Sequence, residues 1–389
     1  MIKNYLYAIF FATIFLTGCS NDDPDEVIID DPVVLEDNYV TDPNFKVVGY
    51  LPTYRMSVVD QIDFSQTNYV ILAFANLDAG GMLQMGNQTP INSLVTTLKN
   101  QGNKVLLSIG GGGLSSQNEA NWVKYMGAGY RKQTIQGILS FMAYNQLDGI
   151  DVDFEGDLLR DHASAYISFV KELKAYLHDK GLAITAAVYP KNWNPAIPKQ
   201  LFQEFDFINV MTYNATGLWD LSNPGPHSSV EFTMNSMDYW TNEMGIPNDK
   251  VIMGMPFYGH NFDPAVAKSV TYKSIVDQNP SFAYTDQMNM TYYNGIPTIV
   301  EKTALALEEV NGVMFWELGQ DRFDDLSLLQ ASRQVVDLDA CMDGGELKTY
   351  FRDKDGDGLG DQMHPVQACE QPVGYVLNRD DTNDEEVAV

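Results

Sequence analysis

The chain is expected to fold as an α/β protein, a closed (β/α)8 barrel of the TIM type, and three observations predict it. Apolar, strand-like runs recur eight times between residues 45 and 336. Helical patterns separate most of them, an alternation that parallel β/α units produce. The fourth run ends in a row of carboxylates, and barrels of this kind place their chemistry at the C-terminal ends of the strands.

The expected strands are 46–51, 69–76, 104–110, 147–155, 183–189, 207–213, 251–257 and 312–317. The expected helices are 92–100, 118–144, 164–180, 229–244 and 298–308, with 326–336 closing the series. In 147–155, Ile150, Val152 and Phe154 alternate with Asp151, Asp153 and Glu155. A period of two gives a strand two different faces. One face should pack on the helical ring and the other should point into the barrel. Carboxylates spaced i, i+2 lie roughly 6 to 7 Å apart, so they cannot all ionise at their ordinary pKa values. A calcium loop needs turn residues between its ligands, and large apolar residues stand there instead. Tyr50, Phe74, Met211, Tyr213, Tyr258 and Trp316 fall at other strand ends, where flat rings can stack on sugar faces. Lys191, Trp193, Trp219 and His227 fall in loops expected at the cleft.

The ends of the chain differ from its middle. The formal charge is −28. Residues 1–44 carry nine acids and one base, and residues 337–389 carry fourteen acids and four bases, so −18 of the charge lies outside 45–336. Such a balance gives nucleic acid no electrostatic footprint and excludes it as a partner. Residues 1–19 combine a lysine, a short apolar run and a small-residue processing site, the pattern of an export signal. Leu16-Thr17-Gly18-Cys19 resembles the lipobox of bacterial lipoproteins. Cys19 is then expected to carry lipid and anchor the exported chain to a membrane, in the outer membrane or at the cell surface. Residues 20–44 are acidic and poor in aromatics, which predicts a disordered tether.

Within residues 337–389, Asp353, Asp355, Asp357 and Asp361 alternate with Gly and Lys. Glycine between hard oxygen ligands is what a calcium loop requires, although His364 stands where an EF-hand loop has its closing Glu. The stretch resembles small calcium-binding repeats of secreted bacterial proteins, and Ca2+ is the expected ion. Cys341 and Cys369 bracket it and are able to pair in an oxidising compartment or stay free.

Asp148-Gly149-Ile150-Asp151-Val152-Asp153-Phe154-Glu155 resembles the signature of glycoside hydrolase family 18, the chitinases and related endo-β-N-acetylglucosaminidases. Ser108-Ile109-Gly110-Gly111, Met211-Thr212-Tyr213 and Trp316 resemble motifs of its third, sixth and last strands. The resemblance implies substrate-assisted retaining hydrolysis without a cofactor, in which the substrate's acetamido group replaces a second carboxylate. Glu155 is then the general acid, Asp153 orients the acetamido group, Asp151 shares a proton with Asp153, and Tyr213 bonds the acetamido oxygen. Tyr50, Phe74, Gly110, Gly111, Met211, Asn214, Tyr258 and Trp316 are the implied substrate-binding residues. The implied partner is a polysaccharide or glycan containing N-acetylglucosamine, handled by a monomer. Chitin or its oligomers, the chitobiose core of N-glycans, and binding without turnover all stay open as readings. Two departures stand out. Asn214 occupies a position where the family usually has Asp, and the 54 residues between Phe257 and Gly312 are few for the α+β module of many processive members. A shallow, open cleft that cuts internally is therefore expected.

Overall fold

The structure, a computed structural model, describes residues 35–86, 91–342, 348–353, 358–368, 371 and 374–381. Eight parallel strands form the barrel: β1 (Lys46–Pro52), β2 (Tyr69–Leu77), β3 (Lys104–Gly110), β4 (Gly149–Asp153), β5 (Ala183–Val188), β6 (Phe207–Val210), β7 (Val251–Pro256) and β8 (Gly312–Trp316). Each pairs with its successor, and β8 returns to β1 with Lys46 opposite Gly312, which closes the sheet.

The alternation in β4 has the consequence its sequence demands. Ile150, Val152 and Phe154 lie in the apolar layer between strands and helices, where the Phe154 ring packs 4.8 Å from Trp122 and 6.1 Å from Phe169. Burying such a ring stabilises by about 1.5–3 kcal/mol. A second cluster, containing Tyr50, Ile71, Leu106, Phe207, Ile252 and Met314, fills the barrel interior. Asp151 and Asp153 point with it, buried. Register brings Ser108 opposite Asp151 and Gly110 opposite Asp153 on β3, and Thr185 opposite Asp151 on β5.

Four features depart from the sequence expectation. The helix expected over 118–144 is two, Ser116–Met126 and Arg131–Asn145, because Gly127 and Gly129 weaken its centre. The β7–β8 connection holds a reduced module: strands Tyr258–Asn261, Lys268–Thr271, Gln287–Met288 and Thr291–Tyr292 in one antiparallel sheet, with the helix Tyr272–Val276. Residues 35–44, read as the end of a tether, are held to the barrel. Asn38 N donates to His178 O at 2.9 Å, the Tyr39 ring stacks on His178 at 4.8 Å, and Asp42 accepts from the Tyr69 hydroxyl at 3.0 Å. Beyond the helix Leu328–Met342, the strands Lys348–Arg352, Asp361–Ala368 and Tyr375–Val376 make a small antiparallel sheet. Tyr350 and Tyr375 are its buried pair. An acidic stretch can fold here because two tyrosines supply the apolar contact that the composition as a whole lacks.

Asp353 and Asp361 border the loop of that sheet, where Gly358 N donates to Asp353 Oδ2 at 3.0 Å. Asp355 and Asp357 lie outside the described residues, as do Cys19 and Cys369. Among the described residues no group of three or more His, Cys, Asp or Glu is placed to hold a metal ion.

Candidate active site

Asp151 sits deepest, at the centre of a polar cluster that the barrel assembles from five strands. Its Oδ2 accepts from the Tyr50 hydroxyl at 2.9 Å and the Ser108 hydroxyl at 2.7 Å. Its Oδ1 accepts from the Thr185 hydroxyl at 2.7 Å and from Asn209 Nδ2 at 3.4 Å. Burial pushes its pKa up, and the net shift stays upward although these four donors pull the other way. A carboxylate with so many donors is equipped to hold a negative charge away from water.

Asp153, one pleat higher, has the opposite surroundings. Its Oδ1 is buried with no hydrogen-bond partner. Burial first, then the charges of Glu155 and Asp151, hold its pKa well above the ordinary carboxylate value. Such surroundings favour the protonated form of Asp153 over its carboxylate. Among the described residues no hydrogen bond joins it to Asp151, and the two neighbours differ in surroundings: Asp151 has four donors and Asp153 Oδ1 has none.

Glu155 lies just past the end of β4 and is partly exposed. Burial raises its pKa, and a hydrogen bond from the Tyr189 hydroxyl opposes the rise. That hydroxyl also accepts from Gly156 N at 3.1 Å, which ties the turn after β4 to the end of β5. Opposite, a Cβ at Gly112 would come within 2.6 Å of Glu155 Oε1, so only glycine leaves the carboxyl its place. Gly110 has φ +100, and a Cβ there would meet Asp153 O at 2.4 Å. Gly111 N donates to the same oxygen at 2.7 Å. Gly110 thus lets β3 pass close to the carboxylate row, whereas a Cβ at Gly111 would meet the Phe74 ring at 2.7 Å.

Aromatic rings wall the site. Trp316 packs on Tyr50 and Phe74, with both ring centroids 5.5 Å away. Glu317 behind it is fully buried and accepts from Arg55 Nε at 2.7 Å, which fixes the end of β8 to the β1 loop. Tyr213 stands edge-on to Tyr258 at 6.1 Å. Among the described residues its hydroxyl has no hydrogen-bond partner. Asn214 Oδ1 accepts from the Tyr258 hydroxyl at 2.8 Å and lies 3.0 Å from His260 Nε2. Met211, partly buried, lies with Tyr189 and Trp240 in a pocket of about 330 Å3 beside Gly156, under the loop that carries Trp193. Trp193 and Trp219 are 74% and 68% exposed. His227, expected at the cleft surface, is fully buried, and burial drives its pKa down to about 3.

The sequence reading missed Thr185, Asn209, Tyr189 as a partner of Glu155, and His260. Thr185 and Asn209 carried a signal, since each is a polar residue inside an otherwise apolar strand.

The arrangement presents a carboxyl with a raised pKa at the rim, a second raised carboxyl with a free oxygen below it, and a buried carboxyl ringed by four donors beneath both. A comparison with protein families decides what it belongs to: the model described as "Glycosyl hydrolases family 18" matches residues 46–321. The chain belongs to glycosyl hydrolase family 18. The match takes in all eight barrel strands and every residue of the carboxylate row. The chain is similar to the solved family 18 chitinase ChiB from the chitin utilization locus of Flavobacterium johnsoniae, with 32% identity, 76% of this chain and 94% of that chain covered, and a TM-score of 0.72. It is also similar to a chitinase of Bacteroides thetaiotaomicron, with 26% identity, 75% and 96% covered, and a TM-score of 0.67. Among curated relatives, "Probable chitinase 10" of Drosophila melanogaster is 28% identical over 277 residues, 61% of this chain. The chain spans only 12% of that protein's length, and 16% of that of the "Secreted chitinase LysM12" of Penicillium expansum.

Proposed function

We propose that this family 18 hydrolase cleaves internal β-1,4 bonds between N-acetylglucosamine units in chitin or its oligomers, by substrate-assisted retaining catalysis. The observation that carries the reading is the graded row of Asp151, Asp153 and Glu155: a buried carboxyl with four donors, a second with a free oxygen and a raised pKa, and a third with a raised pKa at the rim. Glu155 gives its proton to the glycosidic oxygen as the bond to the anomeric carbon breaks. The acetamido carbonyl oxygen of the same sugar attacks that carbon and closes a five-membered ring, leaving positive charge shared with the amide nitrogen. Asp153 faces that group and orients it, its proton passing towards Asp151 as positive charge develops. Tyr213 donates its unpartnered hydroxyl to the acetamido oxygen, and Trp316 supports the sugar ring. Glu155, now a carboxylate, takes a proton from water, which opens the ring on the face the leaving group left. Two inversions give net retention.

The chitinase names of the relatives support the substrate, and the small β7–β8 module supports internal cleavage. Assaying the purified protein on chitin oligomers and on an N-glycosylated protein, beside Glu155→Gln, tests the reading. Oligomer cleavage to mixed short products, lost in Glu155→Gln, is expected. Release of N-glycans alone, or turnover that survives Glu155→Gln, overturns it.

The same reading includes lipid anchoring at Cys19 of an exported chain, supported by Leu16-Thr17-Gly18-Cys19. Incorporation of labelled fatty acid in cells, abolished by Cys19→Ala, is the expected result. It also includes Ca2+ at Asp353, Asp355, Asp357 and Asp361, supported by their spacing. Calorimetric titration of the full chain with Ca2+ should show heat of binding, and its absence refutes the site.

A further inference from the structure

The helix Ile296–Glu309 packs outside the barrel, yet it carries a fully buried lysine, Lys302. Its ammonium donates to Ser228 O at 2.7 Å, Ser228 Oγ at 2.8 Å and Asn294 Oδ1 at 2.9 Å. The count of hydrogens is closed. Ser228 Oγ spends its own hydrogen on Thr212 O at 2.7 Å, so it must accept from Lys302. Asn294 Nδ2 donates to Ser228 O at 2.9 Å and Tyr293 O at 3.2 Å, so its oxygen is the acceptor. Three acceptors need three hydrogens, which the ammonium has and the neutral amine lacks. Among the described residues no carboxylate lies within ion-pair distance of Lys302. Burial presses its pKa down to about 7, with Asp286 and Glu301 pulling the other way. A charge held there without a counter-ion is a poor way to fill space.

What the lysine holds leads to the active site. Ser228 grips Thr212, the residue before Tyr213. His227 beside it lies 3.4 Å by its Nδ1 from Asn214 N and 3.2 Å by its Nε2 from Tyr258 O, while its own carbonyl accepts from Ala215 N at 2.9 Å. The neutral ring therefore accepts from one backbone and donates to the other. Residues 227–228 thus fasten both sides of Tyr213, and Lys302 with Asn294 fastens 227–228.

We propose that Lys302 is a positioning residue for catalysis: through Ser228 and Thr212 it holds the Tyr213 hydroxyl at the point where the acetamido oxygen must be met. The inference rests on the role given above to Tyr213. Lys302 touches neither the cleft nor the substrate, so its removal acts on the reaction step more than on binding.

The test is steady-state kinetics of Lys302→Met, Tyr213→Phe and the double variant on a chitin oligomer, with folding checked by thermal unfolding. Lys302→Met is expected to lower kcat about tenfold or more, as a small misplacement of a reacting group does, with KM within about twofold. In the Tyr213→Phe background the same substitution should add little, because the two act through one hydroxyl. A folded Lys302→Met with wild-type kcat overturns the proposal, and so does a loss that is fully additive with Tyr213→Phe. Should Lys302→Met fail to fold, Ser228→Ala cuts the link to Thr212 and one of the three Lys302 bonds, leaving those to Ser228 O and Asn294 Oδ1. A kcat loss that is not additive with Tyr213→Phe is then the supporting result, and no loss or an additive one the refuting result. A wild-type protein without turnover on the oligomer removes the functional reading and this role with it, whereas an active wild type with unaffected variants removes this role alone.

Discussion

Replacing Thr185 by Val tests which carboxyl of the row carries the charge. The substitution is nearly isosteric and removes one hydroxyl, whose 2.7 Å bond to Asp151 Oδ1 is fully buried. If Asp151 is ionised in the folded protein, the lost bond is to a charged acceptor and costs about 1.5–3 kcal/mol. For a domain of this size that corresponds to a fall in Tm of about 3 to 6 °C. The control is the same change in an Asp151→Asn background, where the acceptor is neutral and the loss shrinks to about 1 kcal/mol. Scanning calorimetry of the four proteins at neutral pH gives the coupling energy. Equal losses in both backgrounds would mean that Asp151 is not charged, and the passage of a proton from Asp153 towards Asp151 would fall with it.

Glu155→Gln should cut turnover by about 10²–10⁴ and yet stabilise the fold at pH 7. Glu155 and Asp153 hold protons more tightly folded than unfolded, so their contribution is most favourable below the ordinary carboxylate range and is lost as pH rises towards their folded values. The gain, on the order of 1 kcal/mol, should shrink as pH is lowered; a Tm unchanged or lower at pH 7 refutes it. Tyr189→Phe removes the hydroxyl that pulls the Glu155 pKa down, so the alkaline limb of kcat/KM should move to higher pH, and a limb that stays in place or moves down contradicts the assignment. Asn214→Asp puts a carboxylate 3.0 Å from His260 Nε2, where burial now lowers the histidine's pKa. The raised pKa adds stability below the unfolded value near 6.5, lost as pH rises. Its Tm relative to wild type should therefore be better at pH 5.5 than at pH 8.

The carboxylate row and the eight strands were legible because they are local: alternation marks the faces of β4, and apolar runs mark the strands. Glu155, Asp153 and Asp151 take their positions from that pattern alone. Their upward pKa directions follow from burial, to which the charges of Glu155 and Asp151 add for Asp153, as three acids on an inward face imply. The different surroundings of Asp151 and Asp153 were not legible, since they depend on Thr185, Asn209 and Tyr50 arriving from other strands. Lys302 is harder still. It reaches Ser228 across 74 positions, and on a helix read alone a lysine belongs to the solvated face. His227 was misplaced for a similar reason: a loop histidine looks exposed until the β7–β8 module covers it. The docked residues 35–44 escaped notice because a few contacts, Asn38, Tyr39 and Asp42, suffice to hold an otherwise acidic stretch.

The most direct measurement of the central claim compares the tetramer of N-acetylglucosamine with its fully deacetylated counterpart, following the first-formed reducing end by proton NMR. An enzyme that uses the substrate's acetamido oxygen as nucleophile cleaves only the acetylated tetramer and releases the β-anomer first. Cleavage of the deacetylated tetramer at a comparable rate, or initial release of the α-anomer, would contradict the account.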